Sequence, residues 1–239
     1  MQTPTSVTPA AAGDHFKQIY LPAIRNGLIS AAVLGVLLCL LAGSWAFWQG
    51  WGFAVLFAFL TTSQGVYLAL KDPALLERRK AIAAKGESPA ERIFIIVGLV
   101  ANLGLMVLSA LAHRWSWAQL PGWVSVVGWA LMSLAFYLYY LVFRENSFAA
   151  SSIQTFEGQR VISTGLYAVV RHPKYLGDLL LVLGTALALG WWWGLAFILI
   201  VVPALAWRIG DEEQLLKKDL AGYTEYTQRV RYRLVPGVW

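Results

Sequence analysis

Gly190-Trp191-Trp192-Trp193-Gly194 interrupts the last apolar run of the chain, which extends from Tyr175 to Trp207. As one helix, a run of about 31 residues would be about 46 Å long, too long for a hydrocarbon layer of about 30 Å without strong tilt. As a hairpin reversing at the glycine-flanked tryptophans, it has short arms but the right turn chemistry. The choice decides the fold. A hairpin returns Arg208 and everything after it to the side of the membrane that holds Arg171-His172-Pro173.

Charge and tryptophan both favour the hairpin. Of 239 residues, 58% are hydrophobic and 13% are charged, about half the charge of a soluble domain. Apolar residues fall in long runs, the pattern of a polytopic helical membrane protein. Four spans are expected before the hairpin, at about 27–47, 52–70, 93–112 and 123–143, with a tight turn at Trp48-Gln49-Gly50-Trp51 between the first two. With the amino terminus cytoplasmic, 18 of the 19 Lys and Arg residues then lie on the inner side and only Arg114 on the outer. That is a strong positive-inside pattern. A single final span would export the last six basic residues. Nine of the twelve tryptophans (Trp45, Trp48, Trp51, Trp115, Trp117, Trp123 and Trp191 to Trp193) fall at the outer boundary, where a half-wet indole is favoured. The net charge of +6 therefore belongs to an inner face and anionic lipid, not to nucleic acid. Cys39, the single cysteine, forms no intramolecular disulfide.

The expected organisation is an all-α integral membrane protein with four transmembrane helices, a carboxyl-terminal helical hairpin and a cytoplasmic cap helix. Residues 1–26 read as a flexible tail without the features of a cleaved signal peptide. Residues 27–143 form the scaffold, and 144–239 a cofactor-binding region with hairpin 175–207 and cytoplasmic tail 208–239. The cap helix is expected from about Glu212 to Arg229. Asp72-Pro73 fits a helix start, followed by a surface helix, Ala74 to Ala84, that carries Arg78, Arg79 and Lys80. The setting is a bacterial inner membrane with both termini cytoplasmic.

The hairpin makes neighbours of two polar blocks. One is Gly165-x-Tyr167 with Arg171-His172-Pro173-Lys174-Tyr175-x-Gly177; the other is Arg208-x-x-x-Glu212-Glu213 with Tyr223-x-x-Tyr226-x-x-Arg229-Val230. Arg208 and Glu212 share a helix face at i, i+4. A surface ion pair there, and Tyr223 and Tyr226 packing the tail against the body, are the plain structural alternatives. Tyr137, Tyr139, Tyr140 and Phe143 read as an inner aromatic belt. Asp178, one turn into the hairpin, is costly at that depth and needs a partner, with Arg171 or Lys174 expected. No metal-ligand set is read in the chain.

In this order around an apolar hairpin, these motifs resemble the isoprenylcysteine carboxyl methyltransferase family and the wider group that includes phospholipid methyltransferases. The resemblance covers roughly residues 150–239. It implies S-adenosylmethionine as cofactor, held without a Rossmann domain, and no G-x-G-x-x-G follows a strand here. Carried over by motif, Val161, Ile162, Tyr167, His172, Pro173, Lys174 and Tyr175 would line the cofactor. Glu212 would meet its amino-acid end and Arg208 would orient the methyl acceptor. Aromatic faces suit a sulfonium cation and a carboxylate pairs with an ammonium. The acceptor, small or lipidic, would be a carboxylate, thiol or amine reached from the bilayer. The run Arg171 to Asp178, with Tyr-Arg-Leu-Val-Pro-Gly at 232–237, also resembles the carboxyl end of sterol reductases, which use NADPH. A non-catalytic membrane scaffold is the third expectation.

Overall fold

The computed structural model describes residues 16–84, 89–117, 119–149 and 159–239. The expected tail up to residue 15 lies outside the described residues, as do residues 85–88, 118 and 150–158. Eight α-helices are present among them: α1 Leu21–Ala42, α2 Trp48–Lys71, α3 Pro73–Ala84, α4 Pro89–Arg114, α5 Gly122–Glu145, α6 Pro173–Ala188, α7 Ile198–Asp219 and α8 Tyr223–Arg229. Five stretches are long and apolar enough to cross a membrane: Gln18–Ala42, Trp48–Lys71, Arg92–Arg114, Gly122–Glu145 and Trp192–Asp219. Leu28, Ile29, Val33 and Leu37 on α1, Leu99, Val100 and Leu103 on α4, and Leu199 and Ile200 on α7 all face outward. Apolar surface of that extent has hydrocarbon as its natural solvent. The chain is an all-helical integral membrane protein.

Three expected boundaries move. Helix begins at Phe16, through a π-turn Phe16–Tyr20, so residues 16–26 are not tail. The first helix ends at Ala42, five residues before the expected end of the span, because Gly43 takes a left-handed conformation (φ 64°). Gly43 and Ser44 donate back to the carbonyls of Leu40 and Cys39, a glycine-terminated helix end. Trp48 to Trp51 consequently opens α2 instead of forming the turn. At the start of α3 the expected chemistry is present: the Asp72 Oδ1 accepts from the Leu75 amide at 2.9 Å.

The third correction concerns the hairpin. The reversal falls where expected, with Gly190 at φ 74° and a 3₁₀ turn Trp192–Phe197 leading into α7. Its arms are unequal. α6 has 16 residues, about 24 Å of helix, whereas the second arm does not stop at Trp207. It continues to Asp219 because Val201, Leu205, Ile209 and Glu213 keep one buried stripe at a spacing of four. The architecture is thus five long apolar helices with a shorter sixth, and the cap is only the seven-residue α8. Arg208, expected at the start of the tail, and Glu212, expected at the start of the cap helix, both belong to α7.

Two features align this bundle. α5 and α6 come into near backbone contact where Gly128 meets Gly184 and Ala188. A Cβ on Gly128 would come within 2.2 Å of the Ala188 backbone nitrogen, and one on Gly184 within 2.9 Å of the Gly128 carbonyl. Small residues permit this approach, and dispersion and packing then hold the pair in a solvent that offers no hydrophobic drive. At the tryptophan end, the Leu120 amide donates to Gly190 O at 2.9 Å and Gln119 bridges to Trp191. Arg114 lies beside Gly43 at that same end. The polar blocks occupy the opposite end.

Candidate functional site

The first two residues of the Arg171-His172-Pro173 block are held by the carboxyl-terminal tail. The Arg171 amide donates to Tyr232 O at 3.0 Å and the His172 amide to Arg233 O at 2.8 Å. The Arg171 Nη1 donates to the carbonyls of Val230 and Arg231 at 2.9 and 3.0 Å. Pro173 then starts α6 as its first residue, where a missing N–H costs nothing and φ is preset.

Glu213 is the centre of this arrangement. Its Oε1 accepts from Arg171 Nε at 2.7 Å and lies 3.3 Å from His172 Nε2, while its Oε2 accepts from Arg233 Nε at 3.1 Å. The carboxylate is almost completely buried, at 3% exposure. A buried charge is tolerated when it is paired and hydrogen-bonded, and here three side chains from two segments meet that need. His172 is therefore braced through Nε2, and its ring stacks on Tyr175 at 5.6 Å.

A second chain of contacts forms the wall of the site. The Tyr175 hydroxyl donates to Glu212 Oε2 at 2.5 Å and accepts from Arg208 Nε at 3.2 Å. The phenol thus bridges the two residues that the sequence paired at i, i+4. Arg208 is 2% exposed, with its guanidinium 5.4 Å from the Phe94 ring. An exposed surface ion pair is excluded by that burial.

The remaining wall comes from the 3₁₀ turn Gly165–Ala168 and α8. Tyr226 donates to Tyr167 O at 2.7 Å, and Asn146 Nδ2 donates to the Tyr167 hydroxyl at 3.1 Å. Burial raises the Tyr167 and Tyr223 phenols well above their ordinary value and pushes Tyr226 up to about 12. All three remain neutral donors at physiological pH. Tyr223 and Tyr226 do pack the tail, in a cluster with Leu220 and Val230, and both also face the cleft that these elements enclose.

That open cleft holds about 820 Å³ of empty space. Val161, Ile162, Tyr167, His172, Pro173, Lys174, Tyr175 and Glu212, all expected from the motifs, line it together. Arg208 does not line it; it stands behind Tyr175. Glu213, Arg233 and Asn146 are the structural residues that reading by motif left without a role. For Glu213 a signal existed, since a carboxylate four residues after Ile209 on the buried stripe must find a cation. A second open pocket, about 670 Å³ counting its mouth, lies between α4, α6 and α7. It is lined mostly by apolar residues, including Phe94, Val97, Leu181, Val182 and Leu205, with Lys174, Asp178 and Asn102 among them. Asp178 has the expected kind of partner: Lys174 Nζ lies 2.9 Å from its Oδ2. Tyr139, expected in an aromatic belt, is instead buried and donates to Asp178 Oδ1 at 2.6 Å. Tyr137 and Tyr140 are the exposed members.

Comparison with known proteins follows the same region. Residues 123–221 match the phospholipid methyltransferase family model. The match supports a membrane methyltransferase-like family for this segment, which holds α5, α6, α7 and most of the residues just described. Curated relatives carry another name. A delta(14)-sterol reductase of Mus musculus is 35% identical over 94 residues, covering 37% of this chain and 22% of that protein. A delta(14)-sterol reductase of Saccharomyces cerevisiae is 30% identical over 132 residues, covering 49% and 30%. A 7-dehydrocholesterol reductase of Danio rerio is 27% identical over 198 residues, covering 80% and 35%. The chain spans about a fifth to a third of the length of these relatives.

The cleft's residues fit S-adenosylmethionine in chemistry. Four tyrosines and a histidine supply aromatic faces, and Glu212 supplies a carboxylate. The 159–162 segment, which has no regular secondary structure, also lines the cleft.

Proposed function

We propose that this protein is an S-adenosylmethionine-dependent membrane methyltransferase acting on a small or lipidic acceptor at the cytoplasmic interface. The observation that carries the reading is the convergence on one cleft of every cofactor-contacting residue expected from the motifs, within the segment that matches the phospholipid methyltransferase family model. When bound, the donor supplies an electrophilic methyl on a sulfonium. The chain's task is alignment and exclusion of water, and effective molarity of that kind contributes about 7–11 kcal/mol. Glu212 pairs the donor's ammonium, and Tyr175 orients Glu212 through its hydroxyl. Arg208 acts behind Tyr175, a positioning role that replaces direct contact with the acceptor. The second, membrane-depth cavity supports lateral access for the acceptor between α4, α6 and α7. A carboxylate or thiolate acceptor needs no general base; an amine must arrive neutral.

A second reading follows from the named relatives: an NADPH-dependent, sterol-reductase-like oxidoreductase. Arg160, Arg171 and Lys174 around the cleft are groups that suit a phosphate. One calorimetric series separates the two. Protein in lipid nanodiscs is titrated with S-adenosylmethionine, S-adenosylhomocysteine and NADPH. The methyltransferase reading expects binding of the first two and at least tenfold weakening in Glu212→Gln. Binding of NADPH alone would overturn it. Membrane extracts incubated with deuteromethyl-labelled donor, with and without the protein, then identify the acceptor by mass spectrometry.

A further inference from the structure

We infer that Asp178 is a positioning residue that turns the Lys174 ammonium away from the donor cleft, allowing a cleft with a lysine in its wall to accept a sulfonium cation. The inference rests on the methyl-donor reading above and concerns how that site selects charge.

Lys174 lines both cavities, whereas Asp178 lines only the second. The Lys174 Nζ is fastened to Asp178 Oδ2 at 2.9 Å, one helical turn further along α6. The carboxylate is itself held, because its Oδ1 accepts from the buried Tyr139 of α5 at 2.6 Å. Lys174 thus stands between the two cavities, with its ammonium bound to a carboxylate that lines only the second, and 5.0 Å from the centre of the Tyr175 ring. Lys174 is the second residue of α6, where the helix macrodipole disfavours a cation. Arg79, packed over the Phe143 ring at 4.6 Å, is a second cation within the field of Asp178. Without the Asp178 charge, Lys174 would be an uncompensated ammonium at the N-terminus of a helix beside the cleft. A sulfonium would then be repelled, while the neutral thioether of the demethylated product would not.

The ratio of donor to product affinity isolates this effect, since S-adenosylmethionine and S-adenosylhomocysteine share every group except the methyl and its charge. Both are titrated by calorimetry into nanodisc-reconstituted wild type, Asp178→Asn and the double variant Asp178→Asn with Lys174→Met. Asp178→Asn is expected to weaken the donor about tenfold, the size of a like-charge interaction several ångströms away at intermediate dielectric, with the product nearly unchanged. The double variant is expected to restore the wild-type ratio. Tyr139→Phe, which retains the carboxylate but frees its orientation, is expected to shift the ratio in the same direction by less, and serves if Asp178→Asn does not fold. Equal weakening of both ligands, or an unchanged ratio, overturns the inference while leaving the methyl-donor reading intact. Failure of wild type to bind either ligand overturns both.

Discussion

Replacing Glu213 by alanine is expected to release the carboxyl-terminal tail from the mouth of the site. Glu213 accepts from Arg171 at 2.7 Å and Arg233 at 3.1 Å. The two losses are unequal: Arg171 is 8% exposed and Arg233 is 35% exposed. Removing one partner of a buried ion pair costs about 3–5 kcal/mol, chiefly because the other charge is left uncompensated. Arg233 adds little after solvent screening. Arg171 retains two backbone acceptors, Val230 and Arg231, which places the loss near the lower bound, about 3 kcal/mol. Two amides report directly on the tail, those of Arg171 and His172, which donate to Tyr232 and Arg233. If the tail opens locally, about 3 kcal/mol corresponds to roughly a hundredfold faster hydrogen exchange at both amides. Exchange is measured by mass spectrometry on nanodisc-embedded protein, with amides in the middle of α2 as an internal reference. Exchange within threefold of wild type at Arg171 and His172 would refute the reasoning, because the tail would then be held by something other than Glu213.

Four further outcomes are expected. Tyr175→Phe keeps the ring over His172 but removes the hydroxyl between Arg208 and Glu212, and leaving those groups short of a bond costs about 1–3 kcal/mol; calorimetry should show donor affinity falling about tenfold or more. Gly128→Leu forces a side chain into the α5–α6 contact and should lower the melting temperature steeply or abolish folding, whereas Gly65→Ala, where nothing lies within 4 Å of the new Cβ, should change it little. Tyr226, with its phenol pushed up to about 12 mainly by burial, should contribute stability that is complete below about pH 10 and lost as pH rises toward 12; because Tyr167 and Tyr223 are raised as well, a Tyr226→Phe variant should show a shallower alkaline decline in pH-dependent unfolding, and an unchanged slope would contradict it. Finally, single cysteines at 192 and 239 in a Cys39→Ala background should be labelled from opposite sides of sealed vesicles, and labelling from the same side would dismantle the proposed topology.

The reversal and the end of the bundle that holds the site were legible in the sequence because the membrane writes both onto the chain. Indoles and cations partition by depth, so Trp191 to Trp193 and the basic residues of the Arg171 and Arg208 blocks point to opposite ends without knowledge of any tertiary contact. Helix ends were less legible. Gly43 terminates α1 by a local backbone conformation, and the apolar count simply continued past it to Phe47. The end of α7 was misread for the opposite reason. Arg208, Asp211, Glu212 and Glu213 look like the end of an apolar run, although Leu205, Ile209 and Glu213 continue its buried stripe. Hydropathy averages over the helix circumference, and only the spacing of four reveals that the helix goes on.

The division of labour between Glu212 and Glu213 was beyond any motif. Adjacent residues on a helix point about 100° apart, so one lines the cleft and the other turns inward, but neighbouring identical side chains give no indication of which. The position of Arg171, 42 residues earlier in the chain, decides it, and that position depends on the register between α6 and α7. The Gly128–Gly184 contact sets α6 against α5, and the Arg208–Tyr175 bond sets α7 against α6. A slip of one residue along α7 would carry Glu213 toward the cleft and leave Arg171 without its buried carboxylate, at a cost of several kcal/mol. The carboxylate that lines the cleft is therefore held in place by its neighbour, which does not line it. Substitutions at 213 should disturb donor binding through structure, and those at 212 should disturb it without any change in hydrogen exchange at Arg171.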